Sequence, residues 1–285
     1  MTNNSGFAIP PLPRHYSGEG RNERNFGDRP RFMDGDLQEW EKTDSDRMAE
    51  NRKHAFIGRT IPRVPWPNFL QELEWKMGEH FALIGPTGQG KTTMLLNILP
   101  LHPFVTVFAT KPRDESMDRL LTEGYVKLDR WRSLDAKIYP RRVLWPDATS
   151  ISSEDRQKQV FHTAFDAIYH EGGWTIAIDE LWYIINVLGL SRDVRTMLLQ
   201  ARALGVSILG ATQRPAYIPL EVYDQSTHLM FWRDNDETNL KRIGGLASNR
   251  ASLIREAVAN LEMFQVLYMN TRTGRLLRTR CPVLN

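Results

Sequence analysis

From about residue 78 onward, short apolar runs rich in β-branched and aromatic residues alternate with longer amphipathic stretches. Strands are expected at 80–84 (His-Phe-Ala-Leu-Ile), 104–109, 142–145, 174–178 (Trp-Thr-Ile-Ala-Ile) and 206–211 (Val-Ser-Ile-Leu-Gly-Ala), with helices over 91–99, 154–170 and 191–203. Runs that stay apolar instead of alternating suit strands covered on both faces. Strand–helix alternation supplies the crossovers that cover them. The two signals together predict an α/β fold, a mostly parallel sheet with helices on both faces. Two later runs, 227–232 and 264–270, and a hairpin turning through Thr273 and Gly274 add C-terminal strands to that sheet.

Upstream the pattern differs. Residues 1 to about 35 lack apolar periodicity, and Pro10, Pro11, Pro13 and Pro30 each interrupt regular structure. This is the composition of a disordered N-terminal arm, either solvated or ordered on a neighbouring subunit or DNA. Residues 36–55 could form a short polar helix, and 61–67 (Ile-Pro-Arg-Val-Pro-Trp-Pro) an extended connector. The expected division is an arm with its helix over 1–60 and one catalytic domain over 61–285.

Composition narrows the function classes. The 285 residues are 41% hydrophobic and 25% charged, ordinary for a soluble globular chain able to bury a full core. A net charge of +3 permits a nucleic-acid partner without requiring one. Cys281 is the single cysteine, which excludes an intrachain disulfide or a thiolate metal cluster. The first residues lack a signal-peptide pattern, and no run of about 18 apolar residues occurs, so a cytoplasmic protein with no membrane span is expected.

The chemistry begins at Gly85-Pro86-Thr87-Gly88-Gln89-Gly90-Lys91-Thr92, which matches G-x-x-x-x-G-K-[ST] between a predicted strand and a predicted helix. Glycines at these positions let backbone N–H groups turn inward around phosphates, and the helix N-terminus adds its dipole. Lys91 is expected at the β- and γ-phosphates of ATP, Thr92 on Mg²⁺, and Thr93 in the first turn of the cradle. A turn that bound nothing would not need the Lys-Thr pair.

The run 174–178 delivers Asp179 and Glu180 to the end of a buried strand, where ligands bind in open α/β sheets. Asp179 is a candidate metal ligand, and Glu180 a candidate base for the attacking water. The strand at 206–211 runs into Thr212-Gln213-Arg214-Pro215, which puts a neutral amide, Gln213, at the same edge as a sensor or water-orienting group. Arg202, near the end of the preceding helix, either complements the helix dipole or acts as an arginine finger on a neighbour's γ-phosphate.

Three segments together resemble the FtsK/HerA group of P-loop ATPases: GPTGQGKTT at 85–93, IAIDE at 176–180 and ARALGVSILGATQRP at 201–215. The resemblance covers about residues 78–275. It implies a RecA-like P-loop NTPase fold with the additional catalytic glutamate, and a ring, commonly a hexamer, with ATP sites between subunits. It also implies Gln213 as sensor, Arg202 as a finger acting in trans, and double-stranded DNA as the threaded substrate. Neither the membrane-spanning N-terminus nor an obvious C-terminal DNA-reading domain of larger members is expected from these residues, and the compact size suits a packaging or genome-processing motor.

A DNA contact is sought in residues 126–142. Lys127, Arg130, Arg132, Lys137, Arg141 and Arg142 stand against Asp129 and Asp135, six cations to two acids, a local +4. Trp131 and Tyr139 are interleaved, a composition that suits sequence-independent phosphate contact. The competing reading is a solvated loop with its aromatics in the core. Lys111 and Arg113 form a second basic set. Arg272, Arg275, Arg278 and Arg280 read as a strand with one solvated face, and Trp182 and Tyr183 as core or interface packing. An ATPase that drives protein secretion or filament assembly, and a slow nucleotide-dependent scaffold, are the alternatives. The paired acids weigh against the scaffold.

Overall fold

The computed structural model describes residues 61–133, 138–146, 150, 152–213, 215–246 and 250–281, with a few positions between 46 and 52. The expectations for the arm and for most of the polar helix lie outside the described residues. Everything below concerns the unit Met48–Asn285.

The described strands form one nine-stranded sheet in the order β3-β4-β2-β5-β6-β1-β7-β8-β9. They are β1 (His80–Ile84), β2 (Val105–Phe108), β3 (Val126–Leu128), β4 (Arg141–Leu144), β5 (Thr175–Ile178), β6 (Ser207–Thr212), β7 (Ser226–Phe231), β8 (Gln265–Asn270) and β9 (Leu276–Arg280). Strands β3 through β7 in that order pair parallel, and β8 and β9 pair antiparallel. The mostly parallel sheet with C-terminal strands and the hairpin at Gly274 are therefore as expected. Gly274 takes the left-handed φ of 67° that the turn requires.

The apolar runs explain the layering. In β1 every residue is buried. Ala82 and Ile84 join the core on one face, with Phe161, Phe165 and Ile168 of α4 (Ser153–Glu171) and Val194 and Met197 of α5 (Ser191–Gln200). Phe81 and Leu83 join the other, with Met94, Leu95 and Ile98 of α2 (Lys91–Ile98) and Met117 and Leu120 of α3 (Glu115–Thr122). Period-2 alternation sends neighbouring side chains to opposite faces, so a strand that is apolar throughout must be covered twice.

Several elements differ from expectation. β3 begins inside the segment expected to be a basic loop. Helices α1 (Trp66–Glu72), α3, α7 (Glu237–Gly245) and α8 (Ala251–Ala259), and the single turn α6 (Glu221–Asp224), were not marked by the apolar pattern. The expected helix over 191–203 ends at Gln200 and tightens into a 3₁₀ turn, Ala201–Leu204, closed by left-handed Gly205. The connector is extended as expected and adds itself to the sheet edge. Val64 N–H donates to Arg278 O, and Arg278 N–H to Pro62 O, both at 2.8 Å.

Arg272, Arg275 and Arg280 are exposed, in keeping with the expected solvated face, and each is held in an ion pair. Arg275 pairs with Glu72, Arg280 with Glu262, and Arg272 with Glu79 at 2.9 Å. Glu79 and His228 meet at 3.1 Å, and His228 meets the Tyr268 hydroxyl at 2.8 Å. This buried network lies at the N-terminal edge of β1, the edge opposite the phosphate loop. Among the described residues, no helix is long and apolar enough to cross a membrane.

Candidate nucleotide site

The chain leaves β1 for β2 on one side and later returns to β7 on its other side. That reversal opens a crevice at the C-terminal edge of β1, where open α/β sheets bind ligands. The phosphate loop fills this position. Gly85 must lack a side chain, because a Cβ there would meet Trp232 Cβ at 2.6 Å. Gly88 and Gly90 take φ values of 77° and 94°, which turn the loop back on itself before α2 begins at Lys91. Gly90 offers no side-chain cap, so the first amides of α2 remain available to an anion.

The functional side chains converge here from three strands. Lys91 is buried, and its Nζ donates to Pro86 O at 2.7 Å. Burial pushes its pKa below the ordinary lysine value, with Asp179 and Glu180 pulling the other way. β5 ends at Ile178 and presents Asp179, whose Oδ1 accepts from Thr92 Oγ1 at 2.9 Å. Glu180 follows. Burial, then the neighbouring Asp179 charge, raises its pKa above the ordinary carboxylate value. From the end of β6, Gln213 accepts from Thr87 Oγ1 at 2.6 Å and donates Nε2–H to Glu180 Oε2 at 2.7 Å. The structure thus brings Lys91, Thr92, Asp179, Glu180 and Gln213 together. Glu180 also lines two clefts of about 360 and 370 Å³.

The segment after Glu180 is shaped to match. Tyr183–Val187 is a π-helical turn, a wider coil often found at functional sites. Tyr183 donates its hydroxyl to Gln157 at 3.0 Å, and Gln157 donates to Thr110 O at 2.9 Å, tying the acidic turn to the end of β2. Thr92 and Asp179 are hard oxygen donors one hydrogen bond apart, the donor type that Mg²⁺ takes. The residues present therefore fit the ion.

One site residue was missed as such. Lys111, read from sequence as part of a basic set, sits 3.7 Å from Asp179 Oδ2 and 3.2 Å from Asp114 Oδ2. Burial disfavours its charge, but Asp179 and Asp114 outweigh burial and leave its pKa raised. Its place just past the C-terminal end of β2, the same edge as Asp179, was the available signal.

Arg202 does not enter the site of its own chain. It lies in the 3₁₀ turn before β6, at the opposite edge of the sheet, where its carbonyl oxygen would be 2.6 Å from a Cβ on Gly78. Arg214 and Lys137 lie outside the described residues.

The basic segment needs a correction. Arg142 is fully buried, so it is no DNA contact. Its guanidinium lies 4.5 Å from the ring centroids of both Trp131 and Trp174, and it donates to Tyr139 O at 2.8 Å and Arg132 O at 3.2 Å. Of the two aromatics interleaved in this segment, Trp131 packs on this arginine, joined by Trp174 from outside the segment, while Tyr139 offers only its carbonyl. Lys127, Arg130 and Arg132 are exposed, with Lys127 lying 4.1 Å over the Trp145 ring. Arg141 is half-buried near Tyr125.

Fold and loop together define a P-loop NTPase architecture. No family model matches the chain and no curated protein is similar to it. Among solved structures it is similar to the genome packaging NTPase B204 of Sulfolobus turreted icosahedral virus 2 in complex with AMPPCP, at 15% identity and TM-score 0.54, over 73% of this chain and 98% of that one. It is similar to B204, the DNA-packaging ATPase of Sulfolobus turreted icosahedral virus, at 15% identity and TM-score 0.54, over 74% and 100% of the two chains. VirB4 of Thermoanaerobacter pseudethanolicus matches at 10% identity and TM-score 0.54, over 72% and 89%. At these identities the likeness establishes the fold, and it is the fold that the FtsK/HerA resemblance implies.

Proposed function

We propose that this chain is an ATP-hydrolysing motor that moves double-stranded DNA, as in genome packaging, working in a ring with its sites between subunits. The observation that carries the hydrolytic part is the Thr87–Gln213–Glu180 chain of hydrogen bonds beside Lys91 and the Thr92–Asp179 pair. Lys91 releases Pro86 O to hold the β- and γ-phosphates, and the loop amides take the remaining oxygens. Glu180 accepts a proton from water attacking the γ-phosphate, and burial makes it a better base than a solvated carboxylate. Gln213 holds the Glu180 carboxylate in place and reports to Thr87. When bound, Mg²⁺ supplies positive charge to the phosphate oxygens.

DNA as the moved polymer rests on the sequence resemblance, on the packaging ATPases among the similar folds, and on the exposed cations Lys127, Arg130 and Arg132. A ring rests on Arg202, whose place at the far edge leaves a γ-phosphate role to a neighbour's site. The test is ATP turnover by size-fractionated protein with and without double-stranded DNA. DNA should stimulate turnover in the oligomeric fraction. Turnover indifferent to DNA would set the DNA reading aside in favour of an ATPase that moves protein.

A further inference from the structure

The loop between α8 and β8 carries an unusual aromatic residue at the phosphate loop. Gln265 N–H donates to Glu262 O at 3.0 Å, closing a tight turn over 262–265. Phe264 occupies its third position with φ 63°, the left-handed conformation that glycine or asparagine ordinarily supplies. Among the described residues it is the one non-glycine with positive φ. A phenylalanine held there is strained, and such strain gathers at ligand clamps. Phe264 is also 36% exposed.

Its location gives the strain a use. A Cβ placed on Gly90 would lie 3.5 Å from Phe264 Cδ1 and 3.9 Å from Trp232 Nε1. The phenyl ring thus flanks the last glycine of the phosphate loop. Trp232 Nε1 is buried without a hydrogen-bond partner at the same glycine, a donor held in the wall of the site.

Strand order then sets the direction of a bound nucleotide. Asp179, Glu180 and Gln213 stand at the ends of β5 and β6, on one side of β1. Phe264 precedes β8, beyond β7 on the other side, and antiparallel pairing of Phe231 with Leu267 brings the start of β8 to this same edge. A triphosphate with its γ-phosphate at Glu180 therefore leads its ribose and base toward Phe264.

We propose that Phe264 is the platform on which the nucleotide base stacks, held in place by a turn conformation that glycine would adopt more easily. This rests on the nucleotide site proposed above. The stack recognises a π-face, so it accepts a purine without reading its edge.

The test is calorimetric titration of ATP and of tripolyphosphate, which lacks base and ribose, into the full chain and its variants. Phe264→Ala and Phe264→Gly should weaken ATP binding about tenfold, the worth of one base–aromatic stack, and leave tripolyphosphate binding unchanged. Phe264→Trp should retain ATP binding. Phe264→Gly should melt no lower than wild type, since glycine relieves the strained φ. ATP binding unchanged in Phe264→Ala, or equal loss of ATP and tripolyphosphate, would overturn the proposal. Wild-type protein that binds neither ligand would instead remove the nucleotide site on which the proposal depends.

Discussion

Gln213 donates its amide to the Glu180 carboxylate at 2.7 Å, so the end of β6 fixes the orientation of an acid carried by β5. The same amide accepts from Thr87 at 2.6 Å, which links that acid to the loop that would bind the phosphates. Gln213→Ala should therefore lower kcat by roughly 10- to 10²-fold, the range for a misplaced general base, while leaving ATP affinity close to wild type. Steady-state kinetics with separate equilibrium binding checks this. A variant that lost affinity and kept kcat would make Gln213 a binding residue only.

Arg202 gives a test of assembly. Because it lies across the sheet from its own loop, Arg202→Ala and Lys91→Ala subunits should each be inactive alone. Mixed, they should recover turnover, since some interfaces would pair an intact loop with an intact arginine. An inactive mixture that still co-assembles by light scattering would contradict action in trans.

His80 sets a pH dependence of stability. Ile208 N–H donates to its Nδ1 at 3.0 Å, and its Nε2 faces Leu198 O at 3.1 Å, so the neutral ring with hydrogen on Nε2 satisfies both partners. Burial pushes its pKa from 6.5 down to about 4, against the favourable Leu198 carbonyl. Between those values the unfolded chain holds a proton that the folded chain does not, so stability rises with pH across the window. The contribution is complete above about 6.5 and is lost as pH falls toward 4, about 3 kcal/mol in all. Denaturant unfolding at pH 7, 5.5 and 4.5 should show a shallower pH slope for His80→Gln than for wild type. Parallel slopes would mean that another group carries the dependence.

The sequence made the phosphate loop, the paired acids and the parallel strands legible for a common reason. Each depends on residue types whose backbone demands or burial leave few alternatives. Gly88 and Gly90 are needed for left-handed turns, and 174–178 is too apolar to be anything but a covered strand. The short elements escaped because three residues, as in β3, cannot display a period. Arg142 was misread because a cation-rich segment with Trp131 and Tyr139 interleaved looks the same whether its rings face DNA or, as Trp131 does with the distant Trp174, pack around a buried guanidinium. Lys111 was seen as charge but not as neighbour to Asp179, since that contact depends on which strands lie side by side. Phe264 carries no sequence signal, because its distinguishing feature is a backbone angle.

Retention of ATP by Glu180→Gln protein bears most directly on the hydrolytic site. The substitution keeps the shape of the side chain and removes its basicity. The variant should bind ATP as wild type does and convert it at least about 10²-fold more slowly, trapping intact triphosphate on the protein, whereas Lys91→Ala should trap none. Release of phosphate by Glu180→Gln at the wild-type rate would contradict the assignment of the base and the mechanism built on it.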